Sequence, residues 1–264
     1  MNIFTAIDVL EKNGIKTKLT TVNKDGKMKD ALTIGTGSIV PTIYQENLDQ
    51  IRDEAEMLRF ADTVLASVPA YDVAHMFTRE FFLQHVRSCL RPATEDEETL
   101  TYPAFGDLEE YFRIFMEPYN DDSYPTVVVQ KAHLDGLGID ASELRKAGRD
   151  NLRKVVQILP MAEVIAALMG MDVPSGDEEL LYVATTKDKL HGASIMLLGD
   201  ILTDFCKDHG LDSVCIIPSS KHEILLVKGA MDRAEIDAMI REVNETQVSE
   251  QDRLSDHGYW FTAA

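Results

Sequence analysis

The polar segment Pro218–Glu223 contains the residue types of a nucleophilic site, since it reads Pro-Ser-Ser-Lys-His-Glu. A serine hydroxyl becomes a nucleophile when a histidine within hydrogen-bond reach takes its proton and a carboxylate orients that histidine. Ser219 or Ser220 would be the nucleophile of such a site. His222 would be its base and Asp256 its orienting carboxylate. A small-molecule hydrolase is therefore one functional hypothesis.

The same segment also fits a hairpin turn between two strands. Neighbouring residues on a strand point to opposite faces, so His222 and Glu223 should not form one side-chain pair. Proline fixes its own φ and serine bonds locally to the backbone, as turns require. We favour the turn over the nucleophile and assign no catalytic residue.

A second polar stretch, Val243–Gln247 with Leu254–Phe261, follows a predicted helix and precedes the last predicted strand. Its side chains have the groups to bind a ligand, and equally to satisfy backbone groups at the helix end and the strand start. We favour the structural role. The binding candidates from both stretches are Glu223, Asn244, Thr246, Gln247 and Ser255.

Motifs for cofactors and metals are incomplete. Gly35–Ser38 lacks the third glycine of a dinucleotide loop and the lysine of a phosphate-binding loop, and no HExxH or calcium loop occurs. The three cysteines, Cys89, Cys206 and Cys215, form no CxxC pair or zinc spacing, so we expect reduced core residues. The sequence predicts no cofactor and no metal.

The charge of the chain limits its partners. It has 45 acidic and 26 basic residues and a net charge of −19, which repels phosphate backbones and anionic lipid. We therefore expect no direct binding to nucleic acid. The acidic residues cluster at Glu95–Glu98, Asp107–Glu110, Asp121–Asp122 and Asp177–Glu179. These clusters either keep exposed loops soluble or form a surface for a basic protein partner.

No targeting or membrane segment is evident. The first residues lack the basic and apolar regions of a signal peptide. The most apolar stretch, Ile158–Met171, is interrupted by Glu163 and is shorter than the roughly 20 apolar residues of a membrane span. We expect a cytoplasmic protein without membrane contact.

Periodicity and turn residues predict the elements of the first 175 residues. They are a helix ending at Asn13–Gly14, a hairpin of Lys16–Val22 and Lys29–Ile34 around Asn23–Gly26, a strand at Pro41–Tyr44, helices at Leu48–Val68 and Val73–Leu90, strands at Glu110–Met116 and Pro125–Gln130 joined by Asn120–Ser123, and helices at Ala141–Val155 and Met161–Met169.

A joint rich in Pro, Ser, Gly and acids, Asp172–Glu179, predicts a boundary between domains 1–175 and 176–264. After it come a strand at Leu180–Ala184, a helix at Ala193–Lys207, strands at Ser213–Ile217 and Glu223–Val227, a helix at Arg233–Val243, and a strand at Tyr259–Thr262. This β-α-β-β-α-β order is that of ferredoxin-like domains. The predicted class is α+β, with a mixed helix and hairpin domain before a ferredoxin-like one.

Five short motifs carry a resemblance to a known family. The motifs are Pro218–Glu223, Val243–Gln247, Leu254–Tyr259, Val40–Tyr44 and Lys189–Ser194. Together they resemble an uncharacterised bacterial domain-of-unknown-function family along the whole chain. The resemblance implies no activity, cofactor or partner. Gly258 and Trp260 depart from its pattern, in which we expect a β-branched residue and a smaller polar or basic one.

Three functional hypotheses remain open. We favour a non-catalytic acidic module that binds a protein partner with a basic surface, through its acidic surface or its C-terminal polar residues. The small-molecule hydrolase is the second. The third is an acidic mimic of nucleic acid that inhibits a nuclease or a defence protein, which requires acidic side chains arrayed like phosphates on one surface.

Overall fold

The computed structural model describes residues 1–24, 27–36, 40–66, 76, 78–116, 125–170, 180–229 and 231–263. The chain divides into two compact units, 1–78 and 79–264. The division expected from the sequence at 175/176 differs from this one, and the predicted joint Asp172–Glu179 lies outside the described residues. A strand before that joint pairs with one after it, which keeps both sides of it in one sheet.

The first unit is a helical layer on a three-stranded antiparallel sheet. Its elements are α1 (Ile3–Lys12), β1 (Thr17–Lys24), β2 (Lys27–Ile34), β3 (Thr42–Tyr44), α2 (Gln45–Leu48) and α3 (Glu54–Ala66). The strands lie in the order β1-β2-β3. Leu10 of α1, Leu32 of β2 and Met57 of α3 meet in the buried core. Asp25 and Gly26 of the predicted turn lie outside the described residues.

The second unit contains two antiparallel sheets. Its elements are α4 (Arg79–His85), β4 (Val86–Pro92), β5 (Tyr102–Ala104), β6 (Leu108–Phe115), β7 (Thr126–Val128), α5 (Lys131–Asp135), α6 (Ala141–Arg153), β8 (Val156–Pro160), α7 (Met161–Met169), β9 (Leu181–Thr186), a 3₁₀-helix (Gly192–Leu197), α8 (Gly199–Asp208), β10 (Ser213–Ser220), β11 (Glu223–Val227), α9 (Arg233–Thr246) and β12 (Tyr259–Thr262).

Strand β6 is the central strand of the smaller sheet in this unit. It pairs with β4 on one side, and with β5 and β7 at its two ends on the other. Helix α6 packs on β4 so closely that a Cβ at Gly148 would lie 2.8 Å from Ser88 Oγ. The larger sheet has the order β12-β10-β11-β9-β8. Helices and antiparallel sheets in both units confirm the predicted α+β class.

Part of the core of the second unit lies on both faces of β10, since alternate residues point to opposite sides of a strand. Val214 and Ile216 join a cluster that includes Leu90 and Leu108 of the smaller sheet. Cys215 and Ile217 belong to a second cluster, with Ile236 and Ile240 of α9. All three cysteines are free thiols and buried, as predicted. Burial raises the pKa of the Cys89 thiol to about 12.

The strand order does not bear out the ferredoxin-like arrangement. The predicted succession β9, helix, β10, β11, α9 and β12 is present. In a ferredoxin-like sheet the first strand lies between the third and the last, whereas here β10 lies between β11 and β12. Strand β9 is flanked instead by β11 and by β8. The sequence predicted the order of these elements along the chain. It did not predict that the last strand, β12, pairs with β10.

One segment predicted as helical contains a strand, and a second unpredicted strand lies between two predicted helices. The predicted helix Val73–Leu90 ends at His85, and Val86–Pro92 forms β4, while residues 73–75 and 77 lie outside the described part of the chain. Both faces of β4 are covered, so its sequence lacks the alternation that marks a half-buried strand. The end of the predicted helix Ala141–Val155 is likewise followed at once by a short strand, β8.

Candidate functional site

The Pro218–Glu223 segment forms the end of the β10–β11 hairpin. The strand register shifts between Pro218 and Ser220. Ser219 Oγ donates a hydrogen bond of 2.9 Å to Glu223 Oε1, and the His222 backbone N–H donates one of 3.0 Å to Ser220 Oγ. Both serine hydroxyls therefore support the turn, in the local bonding pattern expected of turn residues.

The ring of His222 is held on two sides. Its Nδ1 accepts a hydrogen bond of 3.3 Å from the backbone N–H of His191. Its Nε2 lies 3.3 Å from Asp252 Oδ1. Because Nδ1 is an acceptor, the neutral ring carries its proton on Nε2, which faces the carboxylate. Burial and the charge of Lys221 lower the pKa of His222, and Asp252 opposes that shift.

The carboxylate beside His222 is thus Asp252, a residue that the sequence did not single out. Its side chain also accepts hydrogen bonds from Ser249 Oγ at 2.8 Å and lies 3.2 Å from Lys221 Nζ. The Lys221 backbone N–H donates to the Asp252 carbonyl at 2.7 Å. These contacts hold residues 249–252 against the end of the β10–β11 hairpin.

The Lys189–Ser194 segment meets the hairpin at His191 and Gly192. His191 has a φ of 54°, in the left-handed region. The Gly192 N–H donates to the His222 carbonyl at 3.1 Å, and Thr185 Oγ1 donates to the same carbonyl at 2.8 Å. A Cβ at position 192 would clash with that carbonyl and lie 2.7 Å from the Thr185 Cα. Only glycine permits this approach.

The imidazole of His191 is enclosed by aromatic rings. Its centroid lies 6.2 Å from that of Tyr111 and 6.1 Å from that of Phe115, both edge to face. Its buried Nδ1 has no hydrogen-bond partner in the described part of the chain. Burial, helped by the charge of Arg113, holds the pKa of His191 well below its ordinary value. The ring is therefore neutral near pH 7.

The second polar stretch closes the end of α9. Asn244 Nδ2 donates to the Ser255 carbonyl at 3.0 Å and to Asp256 Oδ1 at 2.7 Å. Thr246 Oγ1 donates to a carbonyl one turn earlier in the helix, and Gln247 is its C-terminal cap. The predicted orienting carboxylate, Asp256, is therefore engaged with Asn244, while Asp252 lies at His222.

The Leu254–Tyr259 motif ties the last strand to the start of β6. Asp107 Oδ2 accepts a hydrogen bond of 2.7 Å from Ser255 Oγ, and its Oδ1 accepts one of 2.6 Å from the Tyr259 hydroxyl. His257 Nε2 lies 3.3 Å from Oδ2. Burial alone would raise the pKa of Asp107, but the hydrogen bonds from Tyr259 and Ser255 outweigh it and lower that pKa.

Part of the predicted acidic surface points inward. Glu109 is buried and accepts from Arg91 Nε at 2.7 Å. Glu110 is fully buried between Arg145 and Arg149. The Asp107–Glu110 cluster is therefore largely an internal set of ion pairs and hydrogen bonds. Asp121–Asp122 and Asp177–Glu179 lie outside the described residues.

Among the residues described, no three His, Cys, Asp or Glu side chains come together as a metal site would require. No helix in the described ranges is long and apolar enough to cross a membrane.

The comparisons with known proteins give a family without an activity. Neither a curated protein nor a solved structure matches the chain. One family model matches residues 5–263, under the description "Family of unknown function (DUF5688)". The contact between His191 and His222 joins two of the motifs on which the resemblance rested. Because the match covers nearly the whole sequence, the chain belongs to the family of unknown function DUF5688.

Proposed function

We propose that this chain is a non-catalytic protein-binding module whose partner carries a basic surface. The exposed apolar face of α7 carries the proposal. Ile165, Leu168 and Met169 are 48%, 81% and 67% exposed. Their spacing of three and four residues brings them side by side on one helical face. A contiguous exposed apolar face typically marks an interaction site.

The position of α7 suits a docking element. It follows β8 directly, and β8 is an edge strand of the larger sheet. Of the nine residues of α7, Ala166 alone is buried. The helix has a sharp end, since Gly170 adopts a left-handed conformation with a φ of 64°. The apolar side chains are thus held on a short, defined helix.

Charge favours a basic partner. Glu163 is exposed on the same helix, and the whole chain carries a net charge of −19. Such a field speeds the approach of a cationic protein and repels anionic ones. Apolar contact with α7 would then supply most of the affinity, because exposed ion pairs contribute little. A cytoplasmic location belongs to the same proposal and rests on the sequence alone.

The hydrogen bonds of the C-terminal polar residues favour this proposal over a hydrolase. Ser219 donates to Glu223, Ser220 accepts from the backbone of His222, and Nδ1 of His222 already accepts a backbone N–H. A general base needs a free lone pair within reach of the nucleophile's proton. The inward position of Glu109 and Glu110 likewise argues against an acidic mimic of nucleic acid.

Site-directed crosslinking tests the proposal. A photoreactive phenylalanine analogue replaces Leu168 in one variant and Met239 in a control, since Met239 is an exposed apolar residue on α9. We expect position 168 to crosslink one basic protein in producing cells, and position 239 not to do so. Adding Ile165→Ser should weaken the crosslink. Crosslinking only to a second copy of this chain, or to nothing, would refute the proposal.

A further inference from the structure

A polar cleft of about 480 Å³ lies beside the first half of α6. It is lined by Tyr102, Ala141, Ser142, Arg145, Lys146 and Arg149. Three of these six side chains are cationic and none is acidic, in a chain whose acidic residues outnumber its basic ones. The volume is within the usual range of small-molecule sites, about 300–1,000 Å³.

A buried carboxylate holds the two arginines of the cleft. Glu110 has no exposed surface, and its Oε2 accepts from Arg145 Nε at 2.7 Å and from Arg149 Nη2 at 2.8 Å. Its Oε1 accepts from Arg149 Nε at 2.9 Å. Burial alone would raise the pKa of Glu110, but the hydrogen bond from Arg149 and the charges of both arginines outweigh it and lower that pKa. The carboxylate is charged near pH 7.

Several guanidinium N–H groups of Arg145 and Arg149 do not take part in the hydrogen bonds to Glu110. Nη1 and Nη2 of Arg145, and Nη1 of Arg149, make no hydrogen bond to any described residue. The Arg145 Cζ lies 4.7 Å from the centroid of the Tyr102 ring, which fixes the guanidinium plane from one side. Glu110 therefore orients both arginines, and Tyr102 also contacts Arg145. The remaining guanidinium N–H groups are available to donate to a ligand.

The local charge also favours an anion. Two arginines share one glutamate, which leaves one positive charge in excess. Lys146 is balanced by Asp150, with Nζ and Oδ2 2.6 Å apart. Ala141 and Ser142 are in the first turn of a 13-residue helix, where backbone N–H groups add a partial positive charge. Two acidic side chains lie at the same helix start: Asp140 caps the helix, and Glu143 is paired with Arg79.

We propose that this cleft binds the phosphate group of a small phosphate monoester. Arg145 and Arg149 would bind the terminal oxygens through their unused Nη groups, and Ser142 and Tyr102 would donate from their hydroxyls. A phosphate has three terminal oxygens and can use more of these donors than a planar carboxylate can. This site is separate from the α7 face, and either proposal can fail without the other.

Calorimetric titration of the full chain tests this site, with inorganic phosphate and glycerol phosphate as probes and acetate as the carboxylate. We expect saturable binding of both phosphates, with the ester bound more tightly and acetate not bound. Arg145→Gln and Arg149→Gln should each weaken the binding about tenfold or more, the loss of one to two charge-assisted hydrogen bonds.

Two variants separate binding from folding. Arg153→Gln is the matched control, because Arg153 is on the same helix but pairs with Asp200 and Asp150 outside the cleft. It should bind phosphate like the unaltered chain. Arg145→Lys keeps the positive charge beside Glu110 but loses the planar guanidinium group, so it should bind phosphate more weakly than the unaltered chain while its circular dichroism spectrum shows that it remains folded. Absence of phosphate binding, equal binding of acetate, or equal losses in Arg145→Gln and Arg153→Gln would overturn the proposal.

Discussion

The backbone N–H of His191 donates a hydrogen bond to Nδ1 of His222, so that one histidine sets the tautomer of the other. The proton of the neutral His222 ring is then on Nε2, towards Asp252. Nitrogen NMR of the histidine rings should show His222 as the Nε2–H tautomer near pH 7. Asp252→Asn should leave that tautomer in place, because the His191 N–H remains. An Nδ1–H tautomer in the unaltered chain would contradict the assignment.

Acid should destabilise the second unit through His191. Its pKa is lowered in the folded state, so the unfolded chain binds a proton first as the pH falls below about 6.5. Stability therefore decreases from that pH downward until the folded-state pKa is reached, by up to about 1.4 kcal/mol per pH unit.

His191→Asn tests this pH dependence, since asparagine tolerates the left-handed conformation. Denaturant unfolding between pH 7.5 and 5 should show a smaller loss of stability in this variant than in the unaltered chain. His85→Gln, on α4, serves as the control and should retain the full loss. Equal pH profiles for all three proteins would mean that His191 does not bind the proton on unfolding.

Gly192→Ala should be among the most damaging single-methyl changes in this chain. The added carbon meets the backbone of His222 and Thr185, which cannot move aside as a flexible side chain can. Overpacking of this kind costs about 1–3 kcal/mol, and the rigid neighbours favour the upper end. Gly136→Ala is the control, because nothing lies within 4 Å of its added Cβ. Chemical denaturation of both variants checks the difference, and equal costs would contradict it.

Gly258 and Trp260 should be energetically coupled. A Cβ at Gly258 would lie 2.8 Å from Ile236 Cγ2 and 3.2 Å from Trp260 Cη2, while the Trp260 ring packs 4.0 Å from Arg233 Cζ. The absence of a side chain at Gly258 therefore leaves room for the Trp260 ring. Gly258→Val should cost about 1–3 kcal/mol alone and less when combined with Trp260→Ser. The same cost in both backgrounds would show that the two residues are independent.

Glu110→Gln should destabilise the second unit by about 1–3 kcal/mol, because it weakens the charge-assisted hydrogen bonds that the buried side chain accepts from two partly exposed arginines. Glu143→Gln is the control, since its pair with Arg79 is partly exposed and should change stability by about 0–1 kcal/mol. Thermal and denaturant unfolding both report the effect. A cost for Glu110→Gln no larger than for Glu143→Gln would be inconsistent with a buried anchoring role.

The sequence predicted the elements better than their pairing. The hairpin of β10 and β11 was predicted because it is local and has a turn rich in proline and serine. Strand β4 was missed because both of its faces are buried, and β8 because it is short and lies closely between two helices. Strand order depends on contacts between distant segments, which periodicity does not report.

The candidate site, too, was predicted only where its contacts are local in sequence. The structural role favoured for Asn244 follows from its position at a helix end and agrees with its hydrogen bonds. Asp252 was missed as the neighbour of His222, because its loop folds back over the hairpin only in three dimensions. Glu110 was counted as surface charge, since its partners Arg145 and Arg149 lie far along the chain.

The affinity of the crosslinked partner for the purified chain tests the central proposal most directly. Leu168→Ser should weaken the complex about tenfold or more, since a central apolar anchor typically contributes that much. Met239→Ser should bind like the unaltered chain, and both variants should melt at its temperature because both side chains are exposed. Raising the salt concentration should slow association with a basic partner. Equal affinity of the unaltered chain and Leu168→Ser would contradict the proposal that the α7 face binds the partner.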